Sequence, residues 1–274
     1  MFEQSGDEAF PLSLKYYMLD WDDNILYMPT KIYLEKDGER VDVSTKDFAE
    51  IRRDPSYKPL GGSWEKAFAG FDDNTGDFVG DTRRAIAAGA FAPSYEAFKT
   101  ALLEARLFCI VTARGHSAET LRQGVEVIIH EVFTEGERAE MLKNIQKFNR
   151  LAGFDIADEE ALDKYLALNG YVGVSSPGFL KVFENYAPEG IETGSSPENA
   201  KTFAVRRFVE HTLELIDTLS VVPRDISFGF SDDDERNVVT MREFLDAELV
   251  DAHTHIDFFV YHSLEGALKG ERLG

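Results

Sequence analysis

The stretch Tyr16-Tyr17-Met18-Leu19-Asp20-Trp21-Asp22-Asp23-Asn24-Ile25 changes character at a single position. The apolar run that ends at Leu19 has the length and residue types of a buried strand. Asp20 stops it, Asp22 follows two positions on, and Asn24 two beyond that. A carboxylate at the end of a parallel strand faces the crevice where open α/β sheets bind ligands. Carboxylates at i and i+2, with a polar residue at i+4, can share one Mg²⁺ and one phosphoryl group. This suits a nucleophile, a general acid and a divalent cation in one site. Asp-x-Asp-x-Asn also opens EF-hand loops, but such a loop needs Gly at its sixth position and Glu at its twelfth. This chain has Ile25 and Lys31 there.

Outward from that stretch, residues 30–45 form two alternating runs around Asp37-Gly38 and read as a β-hairpin. Residues 46–92 are irregular, with a short helical pattern over 82–89, and read as a cap-like insertion. Helical spacing returns over 94–105. Leu107-Phe108-Cys109-Ile110-Val111 is a continuous apolar run of the kind expected for a buried parallel strand. Residues 117–132 read as an amphipathic helix, and 135–170 as a second, polar helical insertion broken at Gly153. Residues 171–184 are mixed and contain one strand. Ser196-Pro197-Glu198 starts a helix over 197–219. A strand over 225–231, a helix over 235–248 and a last strand over 256–262 finish the chain. This alternation predicts one α/β domain, three-layered and Rossmann-like, with a mostly parallel sheet covered on both faces.

Two more strand ends carry candidate site residues. The strand ending at Val111 leads into Thr112-Ala113-Arg114. The Thr112 hydroxyl can hydrogen-bond a phosphoryl oxygen there, and the planar fork of Arg114 can grip a phosphate. The strand over 225–231 leads into Asp232-Asp233-Asp234. An acidic cluster beside a buried strand is costly unless solvated or neutralised, and a bound metal neutralises it. Asp232 is the first candidate ligand and Asp233 the second. His253-Thr254-His255 has no further His or Cys cluster within sequence reach, and reads as a solvated loop.

Asp20-Trp21-Asp22-Asp23-Asn24-Ile25 resembles motif I of the haloacid dehalogenase (HAD) superfamily, Asp-x-Asp-x-(Thr/Val)-(Leu/Ile), with Asn24 departing at the fifth position. Thr112 resembles motif II and the acidic run at Asp232 motif IV. Lys201, in the first turn of the helix before that run, matches motif III, with Lys181 as the rival. The resemblance covers about 14–25 and the chain from 93 onward, apart from 135–170. It implies a HAD-like fold with a flap hairpin beside the site, and a phosphohydrolase working through an aspartyl-phosphate. Asp20 would be the nucleophile and Asp22 the acid and base. Thr112 and Lys201 would hold the phosphoryl group, and Mg²⁺ would sit on Asp20, the Asp22 backbone carbonyl, Asp232 and Asp233. A phosphotransferase or mutase sharing the first half-reaction, or a non-catalytic binding protein, are the alternatives.

Composition bounds the partners. With 29 basic and 50 acidic residues the formal charge is −21, a field that repels nucleic acid. No stretch approaches the length of a membrane span. An acidic N-terminus without a signal-peptide pattern, and a single cysteine, Cys109, favour a cytoplasmic protein. The expected partner is a small phosphorylated substrate. Nothing in the sequence sets an oligomeric state.

Overall fold

A computed structural model describes residues 13–151, 155–186, 196–218, 223–264 and 267–274. In chain order the elements begin with β1 (Ser13–Leu19), β2 (Ile32–Lys36), β3 (Glu39–Val43), α1 (Thr45–Ile51), β4 (Tyr57–Pro59) and α2 (Trp64–Ala67). Next come α3 (Phe78–Ala87), α4 (Tyr95–Leu103), β5 (Phe108–Thr112), α5 (Ala118–Glu131), α6 (Glu135–Leu151), α7 (Asp158–Ala167) and β6 (Gly170–Gly173). The last are α8 (Pro177–Tyr186), α9 (Pro197–Asp217), β7 (Asp225–Asp232), α10 (Glu235–Phe244), β8 (Ile256–Leu264) and β9 (Ala267–Leu273).

Six strands form the central sheet in the order β6-β5-β1-β7-β8-β9. Every neighbouring pair is parallel except β8 and β9. The chain leaves β1 toward β5 and β6 on one side, then returns to fill β7 and β8 on the other. Strand order therefore reverses at β1, and the ends of β1, β5 and β7 border the crevice this topology creates. The fold is a mixed α/β arrangement compatible with a Rossmann-like sheet, as the alternation of elements predicted.

The sheet separates two cores because side chains alternate along each strand. Leu14, Tyr16 and Met18 of β1 join Cys109, Val111, Phe228, Phe230, Phe258 and residues of α9 and α10 in one core. Leu19 joins Phe108, Ile110 and residues of α3, α4, α5, α6 and α7 in the other. No residue of β7 or β8 belongs to that second core. On that face Ser227, Gly229, Ser231 and Asp257 line an open groove of about 440 Å³. Among the described residues the expected cover on both faces therefore fails over β7 and β8, where the small and polar positions of β7 give a helix little to bury.

A third, smaller core of Ile32, Leu34, Val43, Ala67 and Phe71 holds a separate antiparallel sheet of order β3-β2-β4. The hairpin expected over 30–45 is β2 and β3, and β4 extends it. The segment 46–92 is thus divided. Its first part, through Phe71, packs with the hairpin. Its second part, α3, puts Phe78 and Ala85 into the second main core. Residues 135–170 differ from expectation as well. Met141, Ile145, Ala161, Tyr165 and Leu166 are buried under the sheet, making α6 and α7 a layer of the fold and not an overhang. The mixed stretch 171–184 contains α8 besides the end of β6, and β9 follows the strand expected to be last. Among the described residues no helix is long and apolar enough to cross a membrane.

Candidate active site

The loop after β1 is fixed by Asn24, which is fully buried. Its amide nitrogen donates to the backbone carbonyls of Asp20 (3.0 Å) and Ser231 (3.1 Å). Its amide oxygen lies 2.8 and 2.9 Å from the hydroxyls of Ser94 and Ser231. The Asp20 backbone N–H donates to the Ser231 carbonyl at 2.9 Å, continuing the β1–β7 ladder one residue past the strand. Asn24 therefore joins the ends of β1 and β7, which a Thr or Val at this position cannot do. Asn24→Thr should cost about 2 kcal/mol, because it leaves buried acceptors unpaired. The urea midpoint measures this, and an unchanged midpoint would contradict the stapling role. Asp23, in the same loop, adopts φ 55, a left-handed conformation that Asp tolerates better than most residues. It accepts from Thr45 at the start of α1, tying the smaller sheet's helix to the loop. Burial pushes its carboxyl up to about 6.

Lys201 is the centre of the charge arrangement. It lies in the first turns of α9, whose start is set by Ser196 accepting from the Asn199 N–H with Pro197 beside it. Its side chain is buried, and Nζ donates to Asp20 Oδ1 at 2.9 Å and Asp232 Oδ2 at 2.6 Å. Burial works against the ammonium charge, but the Asp20 and Asp232 carboxylates outweigh it and raise the pKa. The other oxygen of Asp232 accepts from Asn237 at 2.9 Å and from the Asp234 N–H at 3.0 Å. Oxygens of Asp20, Asp232 and Asp233 lie within 4.8 Å of one another. Burial, with repulsion from neighbouring carboxylates, pushes the pKa values of Asp20 and Asp233 upward. With all three carboxylates ionised, Lys201 alone would leave two negative charges uncompensated, which is why the carboxyls of Asp20 and Asp233 resist ionising without a further cation. Hard oxygen donors and a deficit of two charges fit a divalent cation such as Mg²⁺.

Asp22 stands apart from that cluster. Arg114 Nε and Nη2 donate to its two carboxylate oxygens, each at 2.7 Å, in the bidentate geometry that makes such pairs strong. Nη2 also lies 2.9 Å from the Thr30 hydroxyl, which donates to Asp81, itself paired with Arg84. The guanidinium is sandwiched near the rings of Phe71 (4.5 Å) and Phe78 (5.2 Å). Arg114 Nη1 is buried and has no partner among the described residues. The expected phosphate grip is thus largely taken up by Asp22, and the side chain works first as a clamp on that carboxylate. The Asp22 side chain is not among the clustered metal-ligand groups, and the contact expected of this residue is through its backbone carbonyl.

Asp20, Asp22, Thr112, Arg114, Lys201 and Asp233 all line one cavity of about 500 Å³. Thr112 is buried at the end of β5, as the strand reading required. Lys181 is exposed on α8 and lies away from this cavity, so position favours Lys201. Asp234 has another task. It caps α10 by accepting from the Arg236 N–H and pairs with Arg52 at 3.0 Å. Asp233 is thereby left as the second acidic member beside Asp232. His253 and His255 form no metal-ligand group among the described residues. His116 is buried against Phe78, and burial lowers its pKa to about 4, so it is neutral packing. Sequence reading missed Thr30, Arg52 and the stapling role of Asn24. Only Asn24 carried a signal, as a departure from the motif. No family model, curated protein or solved structure matches the chain.

Proposed function

We propose that this chain is a Mg²⁺-dependent phosphohydrolase of HAD type, acting on a small phosphorylated substrate through an aspartyl-phosphate on Asp20. The observation that carries the reading is the charge deficit at the β1 and β7 ends: Asp20, Asp232 and Asp233 against Lys201 alone. Asp20, Asp232 and Asp233 would hold the ion, which when bound offsets charge developing on the phosphoryl oxygens. The Asp20 oxygen attacks phosphorus as the bond to the leaving oxygen breaks. Water then attacks the same phosphorus, and the Asp20 carboxylate leaves. Lys201 keeps Asp20 aligned, and the Thr112 hydroxyl donates to a phosphoryl oxygen. Asp22 gives a proton to the leaving oxygen and later takes one from water. A carboxylate accepting twice from a guanidinium has no proton to give, so Arg114 must release one Asp22 oxygen before the first transfer.

The test is hydrolysis of an aryl phosphate by the purified chain, with Mg²⁺ and after exhaustive chelation. Turnover only with the cation is expected, and turnover that survives chelation would overturn the metal assignment. Binding also has a readout free of chemistry. Saturating Mg²⁺ should stabilise the fold, by about 2.7 kcal/mol at a hundredfold excess over Kd, seen as a rise in Tm. A Tm indifferent to millimolar Mg²⁺ would contradict a site on Asp20, Asp232 and Asp233.

A further inference from the structure

The wall of the cavity away from the catalytic end says what the phosphoryl group is attached to. Phe71, whose ring packs on Arg114, starts a chain of rings leading outward. Phe68 meets Phe71 edge-on at 5.6 Å between centroids, and Phe48 meets Phe68 at 5.3 Å. All three line the cavity, together with Ile32 and Ala49. Trp64 backs Phe48 and Phe68 at 6.0 and 5.8 Å while itself half exposed. These rings come from the β2–β4 unit, which thus presents a continuous aromatic face to whatever extends from the phosphorus.

The charges on that wall exclude one class of substrate. The three cations lining the cavity are already paired: Lys201 with Asp20 and Asp232, Arg114 with Asp22, and Arg52 with Asp234. The other ionisable groups of the lining, Asp23, Glu65 and Asp72, are all acidic. Among the described lining residues, a second phosphate or a carboxylate on the leaving group would meet no cation without a carboxylate partner and would be repelled by the acidic rim. An aromatic or apolar leaving group would bury its surface on the rings. The volume suits it, since 500 Å³ is ample for a phosphate plus a ring-sized body.

Resting on the phosphohydrolase reading, we propose that the substrate is a phosphate monoester whose alcohol half is an apolar or aromatic body without a second anionic group. Phe48, Phe68 and Phe71 are its specificity surface. The test compares kcat/KM for ethyl, 2-phenylethyl and 3-carboxypropyl phosphate with Mg²⁺, three alkyl esters whose leaving oxygens are of similar basicity. Acetyl phosphate serves as an activated minimal substrate. The phenylethyl ester should exceed the ethyl ester by ~10-fold or more, and the carboxypropyl ester should fall below it. Phe68→Ala should bring the phenylethyl-to-ethyl ratio toward one. Phe48→Ala is the second variant, should the first not fold. A wild-type ratio of one or less, a preference for the carboxylated ester, or an unchanged ratio in folded ring variants would overturn the substrate class while hydrolysis itself stands. No turnover of any of the three esters or of acetyl phosphate would remove the phosphohydrolase reading, and the substrate class with it.

Discussion

Asp20→Asn is expected to lower turnover by ~10³-fold or more while the fold stays intact. The amide keeps the shape of the carboxylate but loses the nucleophilic oxygen and one negative charge. The other carboxylates are engaged elsewhere: both oxygens of Asp232 by Lys201, Asn237 and the Asp234 backbone, both oxygens of Asp22 by Arg114, and Asp233 by the proposed cation. Removing the charge also relieves repulsion among Asp20, Asp232 and Asp233. The variant should therefore melt no lower than the parent in the absence of Mg²⁺, and should bind the cation more weakly. Steady-state assay together with melting curves, with and without Mg²⁺, measures both. Parental turnover in the folded variant would refute the assignment of the nucleophile.

Lys201→Met should be the most destabilising of the substitutions discussed. Methionine fills much of the volume but removes the ammonium that pairs with buried Asp20 and Asp232, beside half-buried Asp233. Breaking a buried ion pair from one side costs about 3–5 kcal/mol, because the partner charges stay buried and uncompensated. Mg²⁺ should restore part of that stability, since it supplies charge to the same oxygens. Turnover should fall even where Mg²⁺ restores the fold. Lys181→Ala is the control, because Lys181 is exposed on α8 and should change stability by less than ~0.5 kcal/mol. A dead Lys181→Ala beside a normal Lys201→Met would transfer the cation's role to the other lysine.

The parts of this site that lie at the ends of buried strands were open to sequence reading. Buried parallel strands are continuous apolar runs, so the residue where the run stops is visible, as at Asp20, Thr112 and Asp232. Lys201 was legible for a related reason: Ser196-Pro197-Glu198 marks the helix start that places it. What remained hidden depends on contacts distant in sequence. The Arg114 clamp on Asp22 spans 92 positions and the Asn24 staple to Ser231 spans 207. Neither residue's neighbours announce the partner. The same holds for 135–170, where polar composition suggested an insertion although one face of α6 and α7 is buried. Strand β9 is an exposed edge with one buried residue, Leu273, so it carries no apolar alternation to read. The division of 46–92 between two cores was hidden too, because packing decides which core a glycine-rich segment joins.

The central claim is that Asp20 carries the phosphoryl group, and trapping the intermediate tests it most directly. The purified protein is mixed with phosphate ester and Mg²⁺, quenched in acid and reduced with borohydride. An acyl phosphate is reduced under these conditions to an alcohol, which turns the aspartate into homoserine. Tryptic cleavage after Lys15 and Lys31 releases the peptide Tyr16 to Lys31, in which tandem mass spectrometry distinguishes Asp20, Asp22 and Asp23. The account predicts homoserine at Asp20 alone, only when substrate and Mg²⁺ are both present. Homoserine at another aspartate, or turnover with no trapped residue in this peptide, would contradict it.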